Sequence, residues 1–575
     1  MKTVTLPVSA GTRFDFWLKK KCAASDVWLH FSVAGNRIYE IKHPAEYYQY
    51  FTYTHYSDEP LDIEWNDEAL EISSFYYWQP QTLGQEGVTF LIGTPQILRP
   101  VGQNEMADWY AQEVLRPGLH FSPFSGWMND PNGLCKIDET YHLFYQHHPH
   151  STEWGPMHWG HAASEDLYHW RHYPLFLQPE QSLEALGATG GAFSGTAFKD
   201  RDGSTAFYYT ERLPAYDLYS GYREVQKLAR PGPFLDKAES VKLVLSELPA
   251  GVSCDFRDPK VWFDSEQNRY FMLLGASVDA EPAVLLFTSE NGEGWSFEHE
   301  LYRADKRFRQ HGGRCVECPD FFPVGDDKWV LIMGIVGYTE PETGRHNLLY
   351  AQTGKFRNGH FTPDRTGLQT LDFGTDFYAL QTFHDGEQTL GFAWLYNWAS
   401  KKTAASAYNG EMSLPRRFTL NSAGTLCMQP VQPPESCRVS QVDYQEACQH
   451  GRLQLPVDKW RTFSLQLAGS GLSRLLLTLQ GEQGEHISLR YGEGKLTLQA
   501  EGFDDERYSA SLESCSDLAL YFDAGIVEVF ANQGSLCGTR RYFHISACKN
   551  IMLEYTPSAT LTTVTLSHYR SCWGQ

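Results

Sequence analysis

The chain has 575 residues, with 48 Lys and Arg against 70 Asp and Glu, which gives a formal net charge of −22. With 42% hydrophobic and 21% charged residues, it has the composition of an ordinary folded protein with room for two to four domains, which excludes a small disulfide-held scaffold. The acid excess would repel a phosphate backbone or an anionic lipid surface, so no nucleic acid and no membrane is expected as a partner.

The chain begins with MKTVTLPVSAGTRFDFW, without the continuous apolar segment of a secretory signal, and no later stretch has 18 uninterrupted apolar residues. These features predict a cytoplasmic protein. In such a reducing compartment, the 12 cysteines should mostly be buried thiols. Cys315 and Cys318 have C-x-x-C spacing, but no second such pair completes a tetrahedral zinc site, so we do not interpret them as metal ligands.

Residues 1–105 predict a small N-terminal β domain of unknown role, because short β-branched and aromatic runs such as DVWLHFSV (26–33) recur there. The tyrosine-rich run at 47–56 could form a sugar-stacking face or a subunit contact. We favour the interpretation that it is a strand that buries alternate side chains. A helix is predicted at about 104–115, with Asn104 as its N-cap.

From residue 115 to residue 420 the strand-like runs continue, and acidic turns recur at intervals that suggest a repeat. Asp258 lies 128 residues after Asp130, and Glu317 lies 59 residues after Asp258. A unit of about 60 residues fits four short strands with their turns, which is one blade of a propeller. Residues 115–420 therefore predict a five-bladed β-propeller.

A proline-rich span around 420–440 predicts a domain edge. Beyond it, runs such as SRLLLTLQ (473–480) and IVEVFAN (526–532) place apolar residues at every second position. Residues 438–575 therefore predict a C-terminal antiparallel β-sandwich. The predicted fold class is all-β: a five-bladed propeller followed by a sandwich, with the additional small N-terminal β domain.

Three carboxylates stand out in the propeller segment. Asp130, Asp258 and Glu317 are each followed by proline, directly or one residue later, in turns expected at the inner ends of blades. Proline stiffens the backbone, so each acid is held in one direction. Singly, each acid would be interpreted as an Asx-type turn or a surface charge. Together, with several tryptophans nearby, they are typical of a site that hydrolyses a glycosidic bond with one protonated and one ionised carboxyl.

Six segments occur in an order that closely resembles the glycoside hydrolase family 32 enzymes, the invertase and β-fructofuranosidase group. A seventh, weaker resemblance lies at DAGIVEVFANQG (523–534). The resemblance implies a five-bladed propeller followed by a β-sandwich, in agreement with the reading from the residues alone. The six segments are HFSPFSGWMNDPNG (120–133), YQHHPHSTEWGPMHWGHAASEDLYHW (145–170), GAFSGT (191–196), FRDPKVW (256–262), ECPDFF (317–322) and DFYALQTF (376–383).

The resemblance also implies roles for individual residues. By motif, Asp130 resembles the nucleophile, Glu317 the general acid/base and Asp258 the transition-state stabiliser. Further positions match residues that line the sugar pocket of the family, the last two more loosely because they also suit a propeller core. These substrate-binding candidates are Asn129, Gln146, Trp154, Phe193, Ser194, Arg257, Tyr378 and Trp394.

A local cluster of histidines suggests a metal site, yet the same family motif contains such histidines without needing a metal. No catalytic metal and no cofactor are therefore expected. The cluster consists of His147, His148, His150, His158 and His161.

The resemblance implies a retaining, exo-acting β-fructofuranosidase that releases terminal non-reducing fructosyl residues from sucrose and short fructo-oligosaccharides through a covalent fructosyl-enzyme. Two alternatives share the fold: a fructosyltransferase, and a sucrose-6-phosphate hydrolase, for which we find no obvious cationic motif that would bind the phosphate. A non-catalytic sugar-binding protein is the alternative of another class, and three intact carboxylates argue against it. The expected partner is a small carbohydrate, and a homo-oligomer is left open.

Overall fold

The computed structural model describes residues 2–21, 27–93, 98–325, 327–346, 348–374, 376–395, 402, 406–444, 451–501 and 508–574. Strands predominate in these residues, as predicted. In the part of the chain that the structure describes, no helix is long and apolar enough to cross a membrane. The helices are α1 (Leu83–Glu86), α2 (Gln103–Tyr110), α3 (Gln181–Leu186) and α4 (Lys306–Gln310), with a 3₁₀ turn at Glu435–Cys437.

The N-terminal region forms two antiparallel sheets, with strand orders β1-β6-β3-β4 and β5-β2-β7-β8-β9. One face of the second sheet packs into the aromatic core between the two sheets, around Phe14 and Phe31, and its other face places Trp17 and Tyr76 against Tyr173 of the next region. The strands are β1 (Lys2–Leu6), β2 (Arg13–Lys20), β3 (Trp28–Val33), β4 (Asn36–Lys42), β5 (Gln49–Thr54), β6 (Leu61–Trp65), β7 (Leu70–Trp78), β8 (Thr89–Gly93) and β9 (Leu98–Val101).

The predicted helix after this region is present as α2, but its cap differs from the prediction. The N-cap is Gly102 rather than Asn104, and its amide donates a 3.1 Å hydrogen bond to the Glu105 carboxylate. An extended glycine followed three residues later by a glutamate satisfies the first turn without an Asn side chain.

Five sheets follow in chain order, each with its strands in sequence from the inside to the outside. Their innermost strands β10, β14, β18, β22 and β27 contact one another in turn, and β27 contacts β10, which closes a five-bladed propeller. The short strand β29 pairs in parallel with β10 and joins the end of the ring to its beginning.

The blades have the following strands. Blade 1 consists of β10 (Gly126–Ile137), β11 (Thr140–His148), β12 (His158–Ser164) and β13 (Arg171–His172); blade 2 of β14 (Gly191–Lys199), β15 (Thr205–Ala215), β16 (Gly221–Pro231) and β17 (Ala238–Leu245); blade 3 of β18 (Val252–Asp264), β19 (Arg269–Val278), β20 (Glu281–Ser289) and β21 (Ser296–Arg303); blade 4 of β22 (Cys315–Pro323), β23 (Trp329–Val336), β24 (Leu349–Arg357), β25 (His360–Pro363) and β26 (Gln369–Thr370); and blade 5 of β27 (Tyr378–His384), β28 (Thr389–Trp394), β30 (Arg416–Leu420) and β31 (Leu426–Pro430), with β29 at Tyr408–Asn409.

Two six-stranded antiparallel sheets form a C-terminal sandwich, in the orders β32-β43-β34-β39-β40-β41 and β33-β42-β35-β36-β37-β38. The predicted alternation holds: in SRLLLTLQ the side chains of Leu475, Leu477 and Leu479 are buried in the core. The strands are β32 (Arg438–Asp443), β33 (Arg452–Trp460), β34 (Thr462–Ser470), β35 (Arg474–Gln480), β36 (His486–Gly492), β37 (Lys495–Glu501), β38 (Tyr508–Ser511), β39 (Asp517–Asp523), β40 (Ile526–Ala531), β41 (Leu536–Arg541), β42 (Cys548–Tyr555) and β43 (Thr560–Tyr569).

A buried ion network joins the sandwich to the propeller. His120, just before blade 1, contacts Asp523 through Nδ1 (2.8 Å) and Glu528 through Nε2 (2.9 Å), and Arg416 of β30 donates to Glu528. Burial alone would lower the pKa of His120, but the two carboxylates outweigh it and raise that pKa to about 9. The two acids belong to DAGIVEVFANQG, so this motif serves the contact between the two regions.

One pair is an exception to the prediction that the cysteines are mostly buried thiols. Cys437 and Cys572 form a disulfide across 135 residues, which ties the 3₁₀ turn before the sandwich to the C-terminal segment. Sequence spacing does not predict such a pairing, because the connectivity of distant cysteines cannot be deduced from their positions in the chain. The thiol prediction is confirmed for eight others: Cys135, Cys254, Cys315, Cys318, Cys427, Cys515, Cys537 and Cys548.

Candidate active site

All five innermost strands of the propeller carry the same irregularity. In each, two paired positions are three residues apart on the inner strand but only two residues apart on the neighbouring strand. The inner strand therefore has one extra residue, which defines a β-bulge. A bulge bends its strand and redirects a side chain that would otherwise follow the pleat. The irregularities lie between Met128 and Pro131, Ala192 and Gly195, Arg257 and Lys260, Glu317 and Asp320, and Tyr378 and Gln381.

The candidate catalytic residues lie at these bulges. Asp130 and Asp258 lie within them and Glu317 borders one, so the acids belong to strands and not to the inter-strand turns in which the sequence analysis expected them. Pro259 and Pro319 lie inside bulges, where the backbone is outside the regular ladder, and Pro131 pairs with Tyr145 at the end of its bulge. The backbone is left-handed at Asp258 (φ 64°), Cys318 (φ 46°) and Ala379 (φ 53°), so three of the five bulges contain a residue in an unusual conformation.

Asp130 accepts hydrogen bonds from three side chains. Ser194 Oγ donates to its Oδ2 at 2.6 Å, Asn129 Nδ2 donates to its Oδ1 at 3.1 Å, and the Cys318 thiol approaches Oδ2 at 3.4 Å. Trp127 in turn donates to the Asn129 oxygen at 2.7 Å, which fixes the direction of the amide. These donors favour the ionised form, as a nucleophilic carboxylate requires.

The pKa of Asp130 reflects opposing influences. Burial raises this pKa, the hydrogen bonds from Ser194 and Asn129 lower it, and the negative charge of Glu317 raises it. Protonation of Glu317 removes that repulsion and so lowers the pKa of Asp130.

Asp258 is buried, with only 3% of its surface exposed. Its amide donates to the Thr210 hydroxyl at 2.9 Å, and its Oδ2 accepts a 2.8 Å hydrogen bond from the Cys318 amide. Burial, together with the charges of Glu317 and Asp130, raises the pKa of Asp258 to about 7 against the opposing influence of Arg257. A carboxylate held in this way is a strong acceptor for the hydroxyl groups of a ligand.

Glu317 is partly exposed, with 28% of its side chain accessible. Arg257 donates to its Oε1 from Nη2 (3.0 Å) and Nε (3.3 Å), and the Tyr378 hydroxyl donates to its Oε2 at 3.1 Å. Both carboxylate oxygens are thus oriented, while the exposed edge remains open to a ligand.

Arg257 also forms hydrogen bonds with Asp255 and Glu224, two acids that were not predicted from the sequence. Its Nη1 donates to Asp255 at 2.8 Å and to the fully buried Glu224 at 3.1 Å. Glu224 also accepts from the Phe256 amide at 2.7 Å, so it fixes the backbone as well as the guanidinium. The sequence does not single out Glu224, because β16 also contains Arg223, Lys227 and Arg230.

The other predicted pocket residues are distributed around this centre. Gln146 lies opposite the blade 1 bulge and donates to the Ala192 carbonyl at 2.8 Å. The rings of Trp154 and Phe193 meet edge to face at 6.2 Å, both partly exposed. Trp394 is 2% exposed and packs on Trp127 at 5.9 Å, so it lies in the core behind the pocket.

Two family models match the chain. The model described as "Glycosyl hydrolases family 32 N-terminal domain" matches residues 120–430, and the model described as "Glycosyl hydrolases family 32 C terminal" matches residues 443–569. The first covers the five blades and the second covers most of the sandwich, and together they cover well over half of the chain.

Individual proteins are similar as well. A Sucrose-6-phosphate hydrolase of Zymomonas mobilis is 37% identical over 58% of this chain, and the match spans 64% of that protein, less than two thirds of its length. A Raffinose invertase of Escherichia coli is 33% identical over 76% of this chain and 90% of that protein. The structure of a Glycoside Hydrolase family 32 protein from Bifidobacterium adolescentis aligns over 100% of both chains with a TM-score of 0.86 at 22% identity, a likeness of fold that includes the N-terminal sheets.

Proposed function

This chain belongs to glycosyl hydrolase family 32, and on that premise we propose that it is a retaining, exo-acting β-fructofuranosidase. One observation carries the proposal. The segment Glu317–Cys318 connects all three carboxylates, because Glu317 is followed by a residue whose thiol contacts Asp130 and whose amide binds Asp258. A short displacement of this segment would disturb every acid that the reaction needs.

The first step forms a covalent bond between Asp130 and the anomeric carbon of the fructosyl group. Glu317 gives its proton to the glycosidic oxygen as that bond breaks, so the departing sugar leaves with a hydroxyl group. The donors around Asp130 stabilise its carboxylate against the burial that raises its pKa, and a protonated Glu317 does not repel it. In the second step Glu317 takes a proton from water, whose oxygen attacks the anomeric carbon and releases Asp130.

Asp258 is proposed to stabilise the transition state. Its ionised carboxylate accepts hydroxyl hydrogen bonds from the fructose ring and favours the positive charge that develops on that ring. Asn129 and Ser194 beside Asp130, Arg257 beside Glu317, and Gln146 are proposed as the polar residues of the pocket. Trp154 and Phe193 supply apolar edges, Tyr378 orients Glu317, and Trp394 is proposed to support the pocket from the core.

Exo-action is supported by the gradient of exposure across the site. Asp258 is almost completely buried, whereas Glu317 has 28% of its side chain accessible. A terminal fructosyl group would enter with its hydroxyls toward Asp258 and its leaving group toward Glu317, where the remainder of the substrate extends outward. An internal residue of a chain would have to continue in both directions.

The proposed substrates are sucrose and short fructo-oligosaccharides. The two relatives described above carry the names of a raffinose invertase and a sucrose-6-phosphate hydrolase, so a phosphorylated disaccharide is the second candidate. A fructosyltransferase would differ in its acceptor, a sugar hydroxyl instead of water. The cytoplasmic location and the three-domain division at residues 105, 115, 420 and 438 stay predictions from the sequence.

Product analysis tests the proposal. The purified protein is incubated separately with sucrose, sucrose 6-phosphate, kestose and inulin, and free fructose is measured by chromatography. We expect fructose from sucrose and kestose, with Asp130→Asn, Asp258→Asn and Glu317→Gln each about 10²–10⁴-fold slower. Asp264→Asn, at the far end of β18, is the matched control and should be unaffected. Longer oligosaccharides at high sucrose would indicate the transferase, and no fructose from any substrate would contradict the proposal.

A further inference from the structure

A second cluster of ligating side chains lies away from the three carboxylates, between the N-terminal sheets and blade 1. His150 follows β11, His158 begins β12, and Glu184 lies in α3. One atom of each of these side chains, an imidazole nitrogen or a carboxylate oxygen, lies within 4.8 Å of the corresponding atom of the other two. Three elements that are separate in the sequence therefore bring two imidazoles and one carboxylate together.

The facing atoms of His150 and Glu184 are buried without a hydrogen-bond partner. These atoms are Nε2 of His150, whose side chain is 3% exposed, and Oε1 of Glu184, and they lie 3.4 Å apart. A buried carboxylate oxygen without a donor is unfavourable unless a cation meets it. Two ligands of a tetrahedral ion with bonds of about 2.0–2.2 Å lie about 3.3–3.5 Å apart, which matches this separation.

The other nitrogen of each imidazole is already used. His158 Nδ1 donates to the Pro156 carbonyl at 3.2 Å, which leaves the lone pair on Nε2, and His150 Nδ1 lies 2.6 Å from the Ser73 hydroxyl. Metal-binding histidines characteristically make such a contact through the nitrogen that does not bind the ion, because it fixes the ring.

The remaining histidines of the sequence cluster have other partners. His147 donates to the Trp127 carbonyl at 2.8 Å, and His161 contacts His142 at 3.0 Å. Aromatic rings of the N-terminal sheets cover the proposed ligands: Tyr48 stacks on His150 with ring centroids 4.2 Å apart. The cluster is therefore enclosed at the junction of two regions.

We propose that His150, His158 and Glu184 bind one divalent ion of the zinc type, with a structural role. Two imidazole nitrogens and one carboxylate oxygen suit zinc better than magnesium or calcium, which prefer all-oxygen shells. The ion would link α3 to the hairpin between β11 and β12 in blade 1. Since α3 directly precedes β14, the ion would also hold the strand that carries Phe193 and Ser194. This site does not depend on the proposed function.

Metal content and affinity test the site. The full-length protein is freed of metal with a chelator, dialysed against Zn²⁺, and analysed by elemental mass spectrometry and by titration calorimetry. We expect one equivalent per chain, with Mg²⁺ and Ca²⁺ unable to replace it, and a higher Tm for the loaded protein. Absence of retained zinc in the folded protein would overturn the proposal.

Variants locate the ion. We expect Glu184→Gln and His150→Gln to lower the Zn²⁺ affinity by about 100-fold or more, and Ser73→Ala, which removes only the contact to His150, by about 10- to 100-fold. His299→Gln is the matched control, because His299 and His360 form a stacked pair nearer the surface. If the ligand variants do not fold, Ser73→Ala and the absorption spectrum of the Co²⁺-loaded wild type decide. Unchanged affinity in Ser73→Ala with an octahedral Co²⁺ spectrum would contradict the site, as would loss of zinc in the control alone.

Discussion

The backbone amide of Cys318 donates a 2.8 Å hydrogen bond to Oδ2 of Asp258. The thiol of the same residue approaches Asp130 at 3.4 Å, and burial raises the pKa of this thiol well above its usual value, so it stays a protonated donor. A residue that the sequence analysis examined only for metal binding thus connects two of the three candidate catalytic acids.

Cys318→Ala should therefore weaken catalysis without abolishing it. The variant keeps the amide but loses one donor to Asp130, so kcat/KM should fall about three- to tenfold, the equivalent of one hydrogen bond. The acidic limb of the pH profile should move to higher pH, because a carboxylate with fewer donors has a higher pKa. Cys318→Ser retains a donor and serves as the control. An identical pH profile in the wild type and Cys318→Ala would show that the thiol does not act on Asp130.

Glu224 should act as a positioning residue through Arg257. Glu224→Gln keeps the shape but weakens the grip on the guanidinium, so we expect kcat to fall about 10- to 100-fold with a smaller change in KM and a shifted pH profile. Partial recovery in Glu224→Asp would support the role. Glu211→Gln is the matched control, because Glu211 is a buried acid of the same blade that pairs with Lys227. Equal losses in both variants would indicate a general effect on blade 2.

Asp258→Asn should stabilise the protein at neutral and alkaline pH. The folded pKa of Asp258 is about 7 against an ordinary value of 3.8, so the folded state holds a proton that the unfolded state has lost between these pH values. The resulting penalty is absent below about pH 4 and complete above about pH 7, where it amounts to at most about 4 kcal/mol. In thermal unfolding, the Tm of Asp258→Asn should exceed that of the wild type by an amount that grows between about pH 4 and pH 7. A difference independent of pH would contradict the assignment.

The contribution of His120 to stability should change with pH in the opposite direction. Its folded pKa of about 9 lies above the ordinary value of 6.5, so its contribution to stability is complete below about pH 6.5 and is lost as the pH rises through 9. His120→Gln leaves Asp523 and Glu528 without their shared cation and should cost about 3–5 kcal/mol at pH 6. Denaturant titrations at pH 6 and pH 9.5 should show the two proteins converging at the higher pH. A constant difference would mean that packing dominates.

The sequence predicted the regular parts of this molecule. Alternating leucines such as Leu475 and Leu477 identify a half-buried strand, and the intervals among Asp130, Asp258 and Glu317 indicate blades, because both depend on local periodicity. The family resemblance then pointed to the residues that the bulges bring together. These predictions required no knowledge of which strands pair.

The missed features depend on pairing between distant segments. A bulge at Asp258 is defined only against β19, the grip of Glu224 on Arg257 crosses 33 residues, and the Cys437–Cys572 disulfide crosses 135. None of these three features produces a periodic pattern in the sequence. The cap of α2 was missed because glycine is a weaker N-cap signal than the nearby Asn104.

Trapping the covalent intermediate tests the central claim most directly. Glu317→Gln is mixed with β-fructosyl fluoride, whose fluoride leaves without a proton from residue 317, and is then quenched in acid within the first turnovers, digested and analysed by mass spectrometry, with Asp130→Asn as the control. We expect one fructosyl group on the peptide that contains Asp130, none in the control, and release of fructose with retained anomeric configuration by the wild type. A label on another peptide, or a product of inverted configuration, would contradict it.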